Sequence, residues 1–207
     1  MAVLEITQLR LKGVEVDDLA LLESLSLVRG KLQTNSRFFS CIEDSSLVYI
    51  FGVWPDLDAH LEFLTSPARD EILGPQENIL DFQWTAHLKL SAISPFLLDV
   101  PFIALERVNI NTNHIGAWNQ DIDTHVRHLQ QTDQLSVTHG WRCDLPTASH
   151  EAIALTRLTS LGPDVAFVGK PTALDPQSDD TGPYRCILFH HARNIEQPET
   201  RHKPAQR

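Results

Sequence analysis

The same order of predicted secondary-structure elements occurs twice along this chain, and this constrains the fold more than any other feature. Each copy has a strand, a helix, two strands, a connection that differs between the copies, and a last strand. The first copy is predicted at Val3–Leu11, Asp17–Arg29, Arg37–Glu43, Leu47–Val53, Asp56–Leu73 and Phe82–Leu90. The second is predicted at Phe102–Ile110, Ile115–Gln130, Leu135–Arg142, Ala152–Leu158 and Arg185–His191.

Two sheets in one chain can pack face to face, so the repeated order predicts an α+β fold that forms an internal pseudo-dimer. The expected boundaries are 1–93 for the first repeat, 101–194 for the second and 195–207 for a disordered tail. The segment Ser91–Val100, which contains Ser94-Pro95, is the predicted join. Fused halves can diverge, so that one half keeps a cavity while the other fills.

The connection before the last strand separates the two copies. In the first copy Leu57, Leu61 and Leu64 recur at helical spacing. In the second, Gly and Pro residues interrupt Ser160–Pro183, which predicts a long loop. Such loops are often lids or binding elements, and a tolerated surface insertion is the equal alternative.

Composition limits the class of partner. The 207 residues are 42% hydrophobic and 21% charged, which suits a globular core, and the formal net charge is −10. No basic run lies inside the predicted fold, which argues against a nucleic-acid or anionic-membrane surface. No apolar stretch reaches the roughly 18–20 residues of a membrane span, and no signal-peptide pattern is present, so a cytoplasmic location is expected.

Several chemistries have no motif here. The three cysteines, Cys41, Cys143 and Cys186, lack CxxC spacing and are expected to be buried reduced thiols. There is no phosphate-binding glycine motif, no HExxH and no GxSxG. The ten histidines show no metal-ligand spacing, so neither a cofactor nor a metal site is predicted.

One segment resembles a known family. The run Val48–Trp54, followed by Ala59-His60, Ser66-Pro67 and Phe82–His87, is similar to the antibiotic-biosynthesis-monooxygenase type of dimeric α+β barrel domain. The match covers about residues 3–90, and the second copy matches only by element order. Tandem versions resemble small proteins associated with fungal natural-product pathways.

The resemblance implies two fused ferredoxin-like repeats that form an intramolecular barrel. Members of the family bind hydrophobic, often polyketide-like molecules between sheet and helices. Several oxidise them without metal or flavin, and related barrels cyclise polyketides or only bind ligands. Whether two such fused chains pair again as a homodimer is left open.

Strand alternation selects histidines as candidate catalytic residues. His87 lies on the polar row Gln83, Thr85, His87, Lys89, opposite the apolar row Phe82, Trp84, Ala86, Leu88. Its counterparts in the second copy are His190 and His191, and His139 lies in the strand that ends near Trp141. A histidine near neutrality can move protons or polarise a carbonyl. A hydrogen-bonded structural role is the alternative for each.

Substrate-binding candidates are Tyr49, Trp84, Glu106, Arg157 and Trp141. Glu106 and Arg107 are adjacent, so one of them must face the interior. A structural ion pair of Glu106 with Arg107 or Arg157 is the alternative to an anionic ligand. The tyrosine and the tryptophans are alternatively core residues.

Three functions remain open. The favoured one is a cofactor-independent enzyme of secondary metabolism that cyclises, by a pericyclic closure among other routes, or isomerises a polyketide- or terpenoid-like intermediate. The second is a cofactor-free monooxygenase acting on a polycyclic substrate. The third is a non-catalytic binding protein for a lipophilic or haem-like ligand.

Overall fold

The structure is a computed structural model, and it describes residues 1–89, 99–132, 136–146, 149–161 and 184–196. The predicted join over Ser91–Val100 and the predicted loop Ser160–Pro183 therefore lie largely outside the described residues. The predicted disordered tail also lies outside them, except for Ile195 and Glu196.

Eight strands and four α-helices form the described part of the chain. The strands are β1 Val3–Leu11, β2 Arg37–Cys41, β3 Leu47–Trp54, β4 Leu80–Lys89, β5 Phe102–Ile110, β6 Val137–Trp141, β7 Glu151–Leu158 and β8 Tyr184–Asn194. The helices are α1 Leu19–Leu32, α2 Leu57–Thr65, α3 Pro67–Leu73 and α4 Ile115–Thr132. Short 3₁₀ helices lie at Gly74–Gln76 and Thr112–His114.

All eight strands belong to one sheet, in the order β4-β1-β3-β2-β8-β5-β7-β6. Every neighbouring pair is antiparallel. The predicted α+β class is confirmed, but the expectation of two separate sheets is wrong, because β2 pairs with β8 and joins the two halves into one sheet. The two edge strands also meet, through an isolated bridge between Leu88 and Arg142, so the sheet closes on itself.

The two halves of the sheet have the same internal order, β4-β1-β3-β2 and β8-β5-β7-β6. Each contains a register shift at the same place, between Gln8 and Leu9 on β1 and between Arg107 and Val108 on β5. The pairings make Leu4 equivalent to Ile103 and Leu88 equivalent to Ala192. Any residue of one half can therefore be matched to a residue of the other.

Side chains on one side of the sheet form a shared inner core. Leu4, Phe39, Tyr49, Leu88, Leu105 and Ile153 are among its members. The opposite side of each half forms an outer face covered by a helix. On the first outer face α1 packs Leu21 and Leu25 against the sheet, and on the second α4 packs Trp118 and Ile122. Burial of these apolar side chains is the main contribution to the stability of the fold.

The helical stretch predicted over Asp56–Leu73, with a second short helix over Ala68–Leu73, is confirmed as two helices, because Ser66 leaves the helical conformation and Pro67 begins the next helix. Asp56 accepts a hydrogen bond from the backbone of Ala59 at 2.8 Å, which caps the first of them. The predicted hairpin over Arg37–Glu43 and Leu47–Val53 is confirmed by the pairing of β2 with β3.

The predicted apolar row of the last strand in the first copy is wrong at Phe82. The register shift beside Gln8 inserts an extra residue, so that Phe82 leaves the row of Trp84, Ala86 and Leu88. Phe82 is 63% exposed as a result. A single-residue slip reverses the faces of a strand, and alternation alone cannot anticipate it.

All three cysteines are free. The prediction of reduced thiols is confirmed, but full burial holds only for Cys41, since Cys143 and Cys186 are half-buried. None of the helices in the described part of the chain is long and apolar enough to cross a membrane.

Candidate functional site

The residues predicted from the sequence to form a site lie on three different surfaces of the sheet. Tyr49, Trp84, His190 and Arg157 lie on the inner side, because they alternate with residues of the outer faces. His87 lies on the first outer face, and Glu106, His139 and Trp141 lie on the second. The sheet therefore does not bring them together in one pocket.

On the inner side, Tyr49 is fully buried and holds a short polar chain. Gln8 Nε2 donates to the Tyr49 hydroxyl at 2.6 Å, and that hydroxyl lies 2.5 Å from Nδ1 of His190. Burial lowers the pKa of His190 and raises that of Tyr49, so both are neutral at pH 7 and the hydroxyl donates to the imidazole. The three groups satisfy one another inside the core.

Arg107 is the member of the predicted Glu106-Arg107 pair that faces the inner side. Its guanidinium lies 4.0 Å from the centroid of the Trp84 ring and bonds both carboxylate oxygens of Glu151, at 2.6 and 3.1 Å. Arg142 bonds the same carboxylate at 3.0 Å. The structural ion pair of Arg107 is therefore made with Glu151, a residue that adjacency in the sequence does not identify. Arg157 lies on the inner side, away from Glu106.

On the first outer face, His87 belongs to a closed network. Its Nδ1 lies 2.9 Å from Asp144 Oδ2, and its Nε2 lies 2.6 Å from Nδ1 of His60. His60 stacks on Trp54, whose indole nitrogen donates to Glu5. With only 1% of its surface exposed and both ring nitrogens occupied, His87 would transfer a proton through its neighbours rather than by touching a substrate.

His191 occupies the position of His87 in the second half. It pairs with Ala104 across the sheet, as His87 pairs with Glu5. Its Nδ1 lies 2.6 Å from Oε1 of Glu43, a residue of the first half, just as His87 takes Asp144 from the second half. The backbone matches too, since Ile42 donates to the His191 carbonyl at 2.9 Å and Cys143 to the His87 carbonyl at 2.8 Å.

The second outer face differs from the first in its side chains. One cross-strand row there is His139, Ala154, Glu106, Phe189, and the next is Val137, Thr156, Ala104, His191. Alanine stands at 104 and 154, where the first half has Glu5 and Ile50. We call Ala104, Glu106, His139, Ala154, Phe189 and His191 the candidate face. Two of its six side chains are alanines, and it carries one carboxyl group and two imidazoles.

Two polar groups of the candidate face have no hydrogen-bond partner among the described residues. Glu106 is 8% exposed and makes no hydrogen bond or ion pair with another described residue, and burial raises its pKa to about 7. Nε2 of His191 is the buried side-chain polar atom that lacks a hydrogen-bond partner in the described part of the chain. Buried polar groups are normally paired, so these two are the candidates for contact with a ligand.

His139 and Trp141 border this face. His139 Nε2 lies 3.7 Å from Asp123 of α4, so the helix extends over this end of the row. Trp141 packs with Val108, Ile110 and Trp118 and is a core residue under α4. His139 is two strands from Glu106, which places them roughly 10 Å apart across Ala154.

The sequence identifies the candidate histidines but not the carboxylates that they contact. Glu43 and Asp144 each follow a strand in a polar turn, and nothing in the sequence shows that they reach a histidine of the other half. His191 was indicated only together with His190, and the strand pairing separates them into an inner and an outer residue. Within the described residues no group of three or more His, Cys, Asp or Glu side chains is placed to hold a metal ion.

Neither the protein-family models nor the curated proteins contain a match to this sequence. Solved structures match nearly its whole length. A chlorite dismutase from Candidatus Nitrospira defluvii, in complex with imidazole, has a TM-score of 0.61 at 10% identity and covers 94% of this chain and 92% of its own.

Two further structures give the same result. A protein from Fusobacterium nucleatum, provisionally assigned as a monooxygenase, has a TM-score of 0.57 at 10% identity, with 94% and 93% of the two chains covered. A Rhodococcus jostii DypB variant in complex with heme has a TM-score of 0.57 at 9% identity, with 93% of each chain covered. The chain therefore shares the α+β fold of these solved structures.

Proposed function

We propose that the protein is a cofactor-independent enzyme that cyclises or isomerises a hydrophobic natural-product intermediate on the candidate face. The observation that carries this proposal is Glu106, a carboxyl group buried beside Ala104 and Ala154 with no partner among the described residues. An acid with a pKa of about 7 is half-ionised at neutral pH, so it can both take and return a proton. Ring closure through an enol and isomerisation both need such a group and no redox partner.

The arrangement of the two halves supports a single site. On the first outer face His60, Trp54 and Glu5 fill the space over the sheet and satisfy His87. At the positions equivalent to Glu5 and Trp54 the second half carries the smaller Ala104 and Leu158, and its His191 has no described partner at Nε2. We infer that the chain is two fused ferredoxin-like repeats, 1–93 and 101–194, forming an intramolecular barrel, and that the second repeat holds the substrate. The equal strand order and the matched register shifts support the fusion.

The test starts from the protein purified from its producing organism. Native mass spectrometry and absorbance identify a co-purifying small molecule, and we expect an apolar metabolite without haem. That molecule, or its precursor, is then used as substrate. Glu106→Gln should lower the rate by roughly 10²- to 10⁴-fold, the range for loss of a general acid or base. A rate unchanged in Glu106→Gln contradicts the proposal.

Glu5→Gln is the matched control. Glu5 is the other glutamate on an outer face of the sheet, but it is held by Thr7 at 2.6 Å and by Trp54. This variant should lose stability and keep its rate. If Glu5→Gln alone abolishes turnover, the site lies on the first outer face and His87 regains its predicted catalytic role.

A haem-binding function is the second candidate, and His191 favours it. Haem iron needs an axial ligand such as an imidazole nitrogen. His191 offers a buried, unpartnered Nε2, and its Nδ1 is held by the carboxylate of Glu43, an arrangement common for metal-bound histidines. The residues present therefore fit the group, which would supply one-electron and oxygen chemistry. A stoichiometric haem absorbance that His191→Gln abolishes would establish this function and displace the first.

A further inference from the structure

We propose that the ligand of the candidate face carries a hydroxyl group, phenolic or enolic, that donates a hydrogen bond to Nε2 of His191, and that Glu43 is the positioning residue that keeps this nitrogen free to accept it. The inference rests on the proposed function, because it uses the same face, and it specifies the class of substrate.

The protonation of His191 follows from its contacts with Glu43. The Glu43 carboxylate accepts the backbone N–H of His191, with its two oxygens at 3.0 and 2.9 Å, and lies 2.6 Å from Nδ1. Burial would raise the pKa of Glu43, but these hydrogen bonds outweigh it and lower that pKa. A carboxylate only accepts hydrogen bonds, so Nδ1 carries the proton. In the neutral imidazole, Nε2 then presents a lone pair.

That lone pair is buried and unused by the described residues. His191 is 8% exposed, and Nε2 has no partner. Leaving a buried acceptor unpaired costs stability, so a donor from outside the fold is favoured. In the first half the equivalent nitrogen of His87 already has a partner, since it lies 2.6 Å from Nδ1 of His60. Equivalent positions thus show one histidine that is satisfied and one that is not.

The surroundings of His191 restrict the donor to a neutral group on an apolar body. Its neighbours on the face are Ala104 and Phe189, whose ring lies edge-on at 5.1 Å between centroids. Glu106 lies diagonally across the strand pair, roughly 7 Å away between Cβ atoms. An anionic ligand would be repelled by ionised Glu106. A neutral hydroxyl on an aromatic or polyene skeleton avoids this repulsion and still donates a hydrogen bond.

The experiment uses the full chain and two probes, 1-naphthol and 1-methoxynaphthalene, which differ in whether they can donate a hydrogen bond. We expect 1-naphthol to bind roughly five- to tenfold more tightly, the equivalent of one neutral hydrogen bond. Long-range ¹H–¹⁵N NMR should show His191 protonated at Nδ1 in the free protein, and its Nε2 resonance should shift with 1-naphthol only.

Three variants test whether the preference for 1-naphthol depends on His191 and Glu43. His191→Phe should bind both probes equally, and Glu43→Gln should reduce the preference because an amide no longer imposes one tautomer. Asp144→Asn, which alters the equivalent pair of the first half, should keep the full preference. Because Asp144→Asn and Glu43→Gln change matched positions, a general loss of stability affects both and cannot produce the difference.

Each other outcome overturns the inference. If the wild type binds both probes equally, or if NMR shows that Nε2 of His191 is protonated, the ligand hydroxyl is not recognised at this site. Failure of both probes to bind removes the ligand site itself, and haem bound at His191 replaces the hydroxyl with iron. The NMR measurement on the wild type needs no variant to fold. Failure of the proposed function is separate, because an unchanged rate in Glu106→Gln leaves the naphthol preference intact.

Discussion

His87 and His191 occupy the same position in the two halves of the sheet, and each binds a carboxylate supplied by the opposite half. His87 Nδ1 lies 2.9 Å from Asp144, and His191 Nδ1 lies 2.6 Å from Glu43. The halves meet at two places, β4 with β6 and β2 with β8, which we call joints. Each joint therefore contains one imidazole and one carboxylate. They differ at the other ring nitrogen, which His60 occupies in one half and no described residue occupies in the other.

The carboxylates of the two joints should differ in what they contribute to stability. Burial would raise the pKa of Asp144, but hydrogen bonds from His87 and Arg142 lower it to about 2. A group with a depressed pKa stabilises the fold above its unfolded-state value of 3.8, and this contribution is lost as the pH falls towards 2. Asp144→Asn should lower the free energy of unfolding by about 1–2 kcal/mol at pH 7 and by progressively less below pH 4. Urea unfolding at several pH values measures this.

Glu43→Gln is the matched comparison. The Glu43 side chain is 39% exposed, against 14% for Asp144, so solvent screens it more. The loss at pH 7 should be smaller than in Asp144→Asn. An equal or larger loss would show that the joint through β2 and β8, rather than the joint through β4 and β6, is the stronger one.

Glu106 should destabilise the fold at neutral and alkaline pH. Burial raises its pKa from 4.5 to about 7, so between these values the unfolded chain ionises while the folded protein keeps its proton. Stability from this group is fully present below pH 4.5 and falls as the pH rises to 7. Glu106→Gln should therefore be more stable than the wild type by up to about 3 kcal/mol at pH 8 and nearly equal to it at pH 4. A constant difference across this range would mean that Glu106 is ionised in the folded protein.

Tyr49→Phe tests whether the inner side is core or binding site. The substitution removes the hydroxyl from Gln8 and His190 without changing the shape of the ring. The free energy of unfolding should fall by about 1–2 kcal/mol, because buried Gln8 and half-buried His190 lose their partner. Affinity for 1-naphthol should not change. Reduced affinity with unchanged stability would instead place the ligand inside the barrel, where the sequence predicts a role for Tyr49.

The substitution Gly52→Ala tests how tightly side chains are packed on the first outer face. A Cβ at this position would lie 3.2 Å from a carboxylate oxygen of Glu5 and 3.2 Å from the Ser36 hydroxyl. Gly52→Ala should therefore displace Glu5 and lower the melting temperature, by an amount that matches about 1–2 kcal/mol of overpacking. The equivalent residue of the second half is Thr156, so the larger side chain is accommodated there. An unchanged melting temperature in Gly52→Ala would show that Glu5 and Ser36 can move without cost.

The sequence predicted the fold better than the site, for physical reasons. Strands β1 and β5 begin and end at the predicted residues because alternation and turn residues are local signals. The register shift that exposes Phe82, and the pairing of Glu43 with His191, depend on which strands become neighbours. The neighbours of a strand are determined by the whole fold and cannot be inferred from any short segment of the sequence.

The choice between Glu106 and Arg107 shows the same limit. Alternation establishes that the two point in opposite directions, but not which side of the sheet is the core. Only the pairing of β5 with β7 brings Glu151 within reach of Arg107 and leaves Glu106 facing the helix side. The sequence thus identified Glu106 as a candidate but not the reason, which is that none of the described residues pairs with its carboxyl group.

The exchange of carboxylates between the halves has a consequence for substitutions. Each half binds a carboxylate of the other, so a substitution at Glu43 affects a histidine of the second half and one at Asp144 affects a histidine of the first. Neither half can therefore alter its own acid without changing the surroundings of the opposite half, and tolerated changes at the two places are expected to depend on each other.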